Sequence, residues 1–271
     1  MLPVIFSIGP FTLYTFVVVM CVAVFAGLFV IWKRGRELHF EENELFDVVF
    51  ICLGWMFVAA RVGYGLLHIA DFGYQLGNWL NVIAKPGWFF PAGLFGAAIA
   101  LIIECKKRKW DLFQVSDILV TGLALVHAFI GLATWLSGIG YGLSTSSFIG
   151  MQFVGTFDKR YPVQLLELLG FLTCFLYLWW VESVYRTFSW YRKNKSQAQT
   201  GYLTGVYLMW WGAVSVIVAI LRTPELVLYG VRGDIVIPVV VGVVGGWILL
   251  MNRSGVTWNS VLDYFGLAKK K

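Results

Sequence analysis

The sequence predicts an all-α polytopic membrane protein of about seven transmembrane helices with a small extracytoplasmic cap. Three observations carry that expectation. Of 271 residues, 59% are hydrophobic and 13% charged, about half the charge of a water-soluble domain. The mean hydropathy is +0.76. Long apolar runs recur along the whole chain, and seven spans of about 20 residues take roughly 140 positions. Short loops remain, so residues 1–271 read as a single seven-helix membrane domain. The same arithmetic excludes disordered, collagen-like and disulfide-scaffold classes.

The runs fall at residues 11–32, 45–67, 87–104, 114–136, 162–184, 202–221 and 235–251, each bounded by charges or by Gly and Pro. The first exceeds a signal-peptide core and ends in Lys33-Arg34-Gly35-Arg36, so it reads as a retained span. Lys and Arg divide unevenly between alternate loops, fifteen against five with Arg61 inside a span. That asymmetry predicts the N-terminus outside and the C-terminus in the cytoplasm. Residues 33–44, 105–113 and 185–201 are then cytoplasmic, the last as a polar linker. Residues 68–86 and the Gly- and Ser-rich 137–161 loop are outside, the latter as an irregular or β-rich cap.

A net charge of +6 would suggest nucleic acid in a soluble protein. Here the charges occupy loops of a membrane bundle, and no nucleic-acid partner is expected. Cys21, Cys52, Cys105 and Cys174 show no metal-ligand or C-x-x-C spacing, so no metal, cofactor or disulfide framework is expected.

Ionisable groups inside apolar runs cost about 2.5–3.5 kcal/mol at mid-span on insertion scales, and each needs a reason. Arg61 lies about 9 Å from the outer end of the second run, within reach of snorkelling to the headgroups or of binding a phosphate. Glu167 lies about one turn into the fifth run, with Gln164 on the same face. An interhelical hydrogen bond and a headgroup-orienting role both fit that pair, and Glu167 is expected to pair with an arginine such as Arg61. His127, in the middle of the fourth run, reads as a packing residue or a base. Arg222 closes the sixth run. Trp210 and Trp211 lie too deep for an interfacial belt. Arg61, Glu167 and Gln164 are expected to converge on an electropositive headgroup pocket near the outer leaflet.

The chain also carries a series of short motifs in a specific order. These are Pro3-Val4-Ile5-Phe6-Ser7-Ile8-Gly9-Pro10, Arg61-Val62-Gly63-Tyr64, Phe113-Gln114-Val115-Ser116-Asp117, Arg160-Tyr161-Pro162-Val163-Gln164-Leu165-Leu166-Glu167, Gly201 through Arg222 with Gly205 and Gly212, and Gly233-Asp234-Ile235. In order and spacing they resemble the bacterial prolipoprotein diacylglyceryl transferases along nearly the whole chain. The resemblance implies seven helices, N-terminus out, in the bacterial cytoplasmic membrane. It implies transfer of the diacylglyceryl group of phosphatidylglycerol to a lipobox cysteine, with glycerol phosphate released. That chemistry needs a base for the thiol and cations for the departing phosphate.

The sequence departs from the family pattern where that chemistry belongs. Against F-H-G-G-L-x-G it carries Phe90-Pro91-Ala92-Gly93-Leu94-Phe95-Gly96, with Pro91 at the histidine position. Against G-R-x-G-N it carries Gly131 for the arginine and Thr134 for the asparagine. Ser215 and Ala219 replace the first arginine and the glutamate of R-x-x-x-E-x-x-R, Tyr161 replaces the histidine of R-H-P, and Phe16 replaces a tyrosine of the first span. His127, four residues before Gly131, shares its helical face and is the candidate substitute base with Glu167. Arg61, Gln164 and Arg222 are the candidate phospholipid ligands. Two functions remain open: a divergent transferase, or a non-catalytic homologue that binds anionic phospholipid or lipoprotein signal peptides.

Overall fold

The computed structural model describes residues 2–9, 11–73, 76–81, 85, 87–153, 155–185, 200–224, 227–228 and 231–253. In chain order, strands β1 (Val4–Ile8) and β2 (Phe11–Tyr14) precede helices α1 (Thr15–Glu37), α2 (Glu42–Leu67), α3 (Ile69–Phe72), α4 (Leu76–Leu80), α5 (Phe90–Arg108) and α6 (Leu112–Ser137). Strands β3 (Met151–Gln152) and β4 (Lys159–Arg160) follow, then α7 (Val163–Tyr185), α8 (Tyr202–Leu221), β5 (Val227–Leu228) and β6 (Val231–Arg232). The chain continues through α9 (Gly233–Ile237), a π-helical segment (Pro238–Val244) and α10 (Gly245–Arg253). Of the expected linker 185–201, residues 186–199 lie outside the described residues.

Six helical stretches among the described residues are long and apolar enough to cross a membrane: Thr15–Glu37, Glu42–Leu67, Leu112–Ser137, Val163–Ser183, Tyr202–Leu221 and Gly233–Asn252. The chain is thus an all-α polytopic membrane protein. The expected span at 87–104 is the helix α5 but does not join those six. Its last turns carry Glu104, Lys106, Lys107 and Arg108, which leave an apolar stretch of about 14 residues, or roughly 21 Å. Its full 19 residues reach about 28 Å, close to the hydrocarbon thickness.

A second difference lies at the start of the chain. The run expected as helical from residue 11 begins as a β-strand, paired antiparallel to β1 with Ser7 opposite Thr12 and Ile8 opposite Phe11. Gly9, at φ 59°, supplies the left-handed turn residue that such a tight reversal requires. The flanking Val, Ile, Phe and Tyr side chains favour a strand.

Contacts gather the chain into two units, one formed by residues up to Ile31 and from Asp117 onward, the other by Trp32–Ser116. In the second unit α2 and α5 lie against each other along small residues. A Cβ on Gly93 would stand 2.9 Å from the Met56 carbonyl oxygen, and one on Gly96 would stand 2.9 Å from that of Trp55. Val48, Cys52 and Ala100 form the buried seam, with Ile51, Ala97, Leu101 and Trp110 packed around it. At one end Arg108 pairs with Glu104 and lies over the Trp110 ring.

In the first unit α8 meets the last helix backbone to backbone. A Cβ on Gly212 would stand 2.6 Å from both the Pro238 carbonyl oxygen and the Val243 nitrogen. One on Gly246 would stand 2.6 Å from the Met209 nitrogen. Pro238 offers no N–H to the helical ladder, and the helix widens into π geometry over the seven residues from Pro238 to Val244, an adjustment that often accompanies such breaks. Asp117, at the start of α6, fixes the opposite end of α8. Its carboxylate accepts the Gly201 N–H at 2.8 Å, the Thr204 N–H at 2.9 Å and the Thr204 hydroxyl at 2.7 Å. It therefore caps α8 from a neighbouring helix.

Gly212→Val should cost about 1–3 kcal/mol through overpacking, read as a lower unfolding temperature in detergent. Gly54→Ala is the matched control, because a Cβ there meets nothing within 4 Å and Ala is the better helix former.

Candidate functional site

The candidate site lies at the end of the first unit where the 138–162 loop leaves α6 and enters α7. Gly138 and Gly140, both at φ 72°, turn the chain out of the helix. The Gly138 and Ile139 N–H groups return to the Trp135 and Thr134 carbonyls at 3.1 Å each. The loop then folds back. Gly142 donates to the Tyr161 carbonyl at 2.9 Å and Leu143 to that of Leu221 at 2.8 Å, while Thr145 donates to that of Lys159 at 2.8 Å. Met151 pairs with Arg160 and Gln152 with Lys159. The expected cap is therefore a small β-hairpin fastened to the ends of α6, α7 and α8.

Gln164, in the first turn of α7, is fully buried. Its Nε2 donates to the Ile139 carbonyl at 2.8 Å, while its Oε1 has no hydrogen-bond partner. One turn further on, Glu167 Oε1 lies 3.6 Å from Arg222 Nη2, which also donates to the Gly140 carbonyl at 2.8 Å. Glu167 thus pairs with Arg222. Arg160 lies over the Tyr141 ring at 4.9 Å. Trp135 Nε1, Ser137 Oγ and Arg160 Nε, like Gln164 Oε1, are buried without hydrogen-bond partners.

Such orphaned buried groups are rare in native proteins. These four lie at one end of the unit, where α6 ends and α7 begins, and comprise two N–H donors, a hydroxyl and an acceptor. A polar ligand carrying both acceptor oxygens and a hydroxyl would satisfy them. Arg232 adds a further cation there. It is bonded to Asp234 Oδ2 at 2.7 Å and donates to the Ala219 carbonyl, and the Asp234 hydrogen bond raises its already high pKa.

Arg61 belongs to the other unit. All five of its N–H groups face carbonyl oxygens: Nε that of Trp79 at 2.9 Å, Nη1 those of Lys85 at 2.8 Å and Gly87 at 3.0 Å, and Nη2 those of Asn78 at 3.4 Å and Asn81 at 3.2 Å. The guanidinium also lies 4.9 Å from the Phe72 ring centre. Arg61 thus holds the carbonyls of Asn78, Trp79, Asn81, Lys85 and Gly87, where snorkelling or phosphate binding was expected, and a phosphate would have to displace one of them.

His127 is buried in the middle of α6. Its Nδ1 lies 2.8 Å from the Tyr207 hydroxyl, and its ring stacks on Phe171 at 4.6 Å. One turn further on, Gly131 touches α7, and a Cβ there would stand 2.6 Å from the Leu168 nitrogen and 2.9 Å from the Gln164 carbonyl oxygen. Thr134 turns its hydroxyl onto the Ile130 and Gly131 carbonyls at 2.9 and 3.0 Å. Pro91 occupies the first turn of α5, where a missing N–H costs nothing. Trp210 donates its indole N–H to the Gly170 carbonyl at 2.8 Å, which explains its depth. The polar contacts of Arg160, Arg232 and Asp117 were not legible as such in the sequence. Arg232 counted only as a loop charge, Arg160 as a loop charge and the start of a motif, and Asp117 only as part of a motif.

The fold and this site define a membrane-integral bundle with a cluster of buried polar and cationic side chains at one end. The family model for prolipoprotein diacylglyceryl transferase matches residues 3–251, and the chain belongs to that family. A phosphatidylglycerol–prolipoprotein diacylglyceryl transferase of Chlorobaculum tepidum is 29% identical over 240 residues, covering 82% of this chain and 78% of the relative. A protein of the same name from Clostridium tetani is 23% identical over 236 residues, covering 82% and 86%. One from Wolbachia pipientis is 25% identical over 227 residues, covering 82% of each.

Gly131→Ala should destabilise the bundle by about 1–3 kcal/mol, because backbone rather than a movable side chain meets the new Cβ. Gly131→Arg should lower the unfolding temperature further and leave lipidation of a lipobox reporter unimproved.

Proposed function

We propose that this protein binds phosphatidylglycerol or another anionic phospholipid at the recess built by Gln164, Glu167, Arg222 and Arg160. It does so on the outer side of the bacterial cytoplasmic membrane, with its N-terminus outside and its C-terminus in the cytoplasm. Diacylglyceryl transfer by the standard route is absent or strongly slowed. The observation that carries the reading is the group of buried polar atoms without partners at that end, beside the Arg222–Glu167 pair. Their mixed donor and acceptor character suits a headgroup with both phosphate oxygens and hydroxyls. The fifteen-to-five distribution of Lys and Arg supports the orientation, which has the chain crossing seven times with α5 as the short span.

The impairment follows from the positions that family enzymes fill with ionisable groups. Pro91 and Gly131 carry none; Pro91 opens α5, and Gly131 packs on the α7 backbone. Ser215 offers only a hydroxyl. Loss of one cationic or hydrogen-bonding contact to a transition state costs about 10² to 10³ in rate. Family membership and the intact Arg222–Glu167 pair favour a second reading, a divergent transferase in which His127 or Glu167 serves as the base and a lipoprotein signal peptide presents the cysteine.

Two measurements separate the readings. Phosphatidylglycerol recovered with the purified protein should fall several-fold in Arg222→Gln, and recovery equal to wild type would remove the proposed site. Expression in cells depleted of their own diacylglyceryl transferase should leave a reporter lipoprotein unlipidated. Robust lipidation, abolished by His127→Ala in protein that still folds but not by His39→Ala or His68→Ala, would establish the second reading instead.

A further inference from the structure

The cap carries large apolar side chains that nothing in the bundle covers. Phe148 is 95% exposed and Phe157 fully exposed, at the tips of the two loops that flank β3, and Ile149 beside Phe148 is half exposed. The loops that hold them are internally braced. The Ser147 N–H donates to Thr145 Oγ1 at 3.1 Å, the Gly150 N–H to the Ser147 carbonyl at 3.0 Å, and the Phe153 N–H to Thr156 Oγ1 at 3.2 Å. Phe153 is buried and packs on Tyr141 at 5.2 Å, so the hairpin already has an inner aromatic face. Phe148 and Phe157 instead stand exposed, one on each side of β3.

We propose that these two aromatic tips insert into the headgroup region of the leaflet at the cap end and seat the cap on the lipid surface. Three features select lipid as the occupant. The cap springs directly from two membrane spans and re-enters within 25 residues, between Ser137 and Val163, so its tips cannot travel far from the bilayer. Ile139 and Leu143, in the segment that leaves the first of those spans, are exposed apolar side chains as well. Phe157 is followed by Asp158 and then by the basic pair Lys159-Arg160. Aromatic rings beside a basic pair suit the interface of an anionic bilayer. Seated in this way, the cap would keep the adjoining polar recess at headgroup depth. The inference stands on the cap's own surface and does not depend on whether the recess turns over substrate.

The test places a bimane label at Phe157→Cys or Phe148→Cys in a Cys21→Ser background, since the other three cysteines are buried. The labelled full-length protein is reconstituted into nanodiscs of phosphatidylglycerol and phosphatidylcholine with and without shallow doxyl-labelled lipid. Both labels should be quenched several-fold by the doxyl lipid and be largely shielded from aqueous iodide. Iodide quenching without doxyl quenching would overturn the proposal. Shielding that appears only when a lipobox signal peptide is added would also overturn it and assign the aromatic tips to peptide docking. Because both side chains are exposed, the substitutions should leave the unfolding temperature unchanged, and a quenching result can be read without a folding defect.

Discussion

Direct contact between helix backbones is the constraint on which the first unit depends. Within a bilayer an apolar side chain gains little by leaving lipid for protein, so helices associate through close packing and hydrogen bonds. Gly131 brings α6 onto α7 at Gln164 and Leu168, and Gly212 with Gly242 and Gly246 brings α8 onto the last helix. These contacts set the register of the polar side chains at the cap end. With α6 seated on the carbonyl of Gln164, that residue's amide reaches Ile139, and Glu167, one turn along, meets the arginine that closes α8. A helix pair held apart by ordinary side chains would not bring those groups together.

The same physics sorts the polar residues. Four polar side chains within the helices find partners in their own unit: Arg61 faces five carbonyls, Asp117 caps α8, Trp210 reaches Gly170, and His127 meets Tyr207. In an environment without water this is the condition for burying such groups at all. At the cap end the condition is relaxed for Trp135, Ser137, Arg160 and Gln164.

Much of the fold was legible because its signals are strong and local. Runs of apolar residues ended by charges gave the second, fourth, fifth and sixth spans to within three residues of Glu42–Leu67, Leu112–Ser137, Val163–Tyr185 and Tyr202–Leu221. The amino-terminal hairpin was missed because an apolar strand and the first turn of an apolar helix have the same composition. The site was legible only in part. A lone Arg61 inside a span signals that it needs a partner, but not that five carbonyls of a following segment supply it. His127 and Gly131 do share a face, yet that face turned out to be a packed helix contact. Glu167 and Arg222, 55 positions apart in sequence, could be expected to lie near the same membrane surface, but no spacing rule pairs residues on different helices.

The departures from the family's motifs take on a different meaning once their surroundings are known. Pro91 begins α5 at a position suited to proline, Gly131 is a contact between two backbones, and Ala219 is buried with its carbonyl engaged by Arg232. At 131 the residue is thus one that the backbone contact requires, at 91 one that suits a helix start, and at 219 a small buried one. Such substitutions are coupled to helix spacing, because a long charged side chain at 131 would need α6 and α7 to separate along the line that also positions Gln164 and Glu167. Restoring the motif residue by residue would thus oppose the contacts that hold the recess, and the polar groups left at the cap end are the ones this packing permits. Arg232 illustrates the point, since it brings positive charge back to Ala219 from a hairpin outside the helix, where no backbone contact has to be given up.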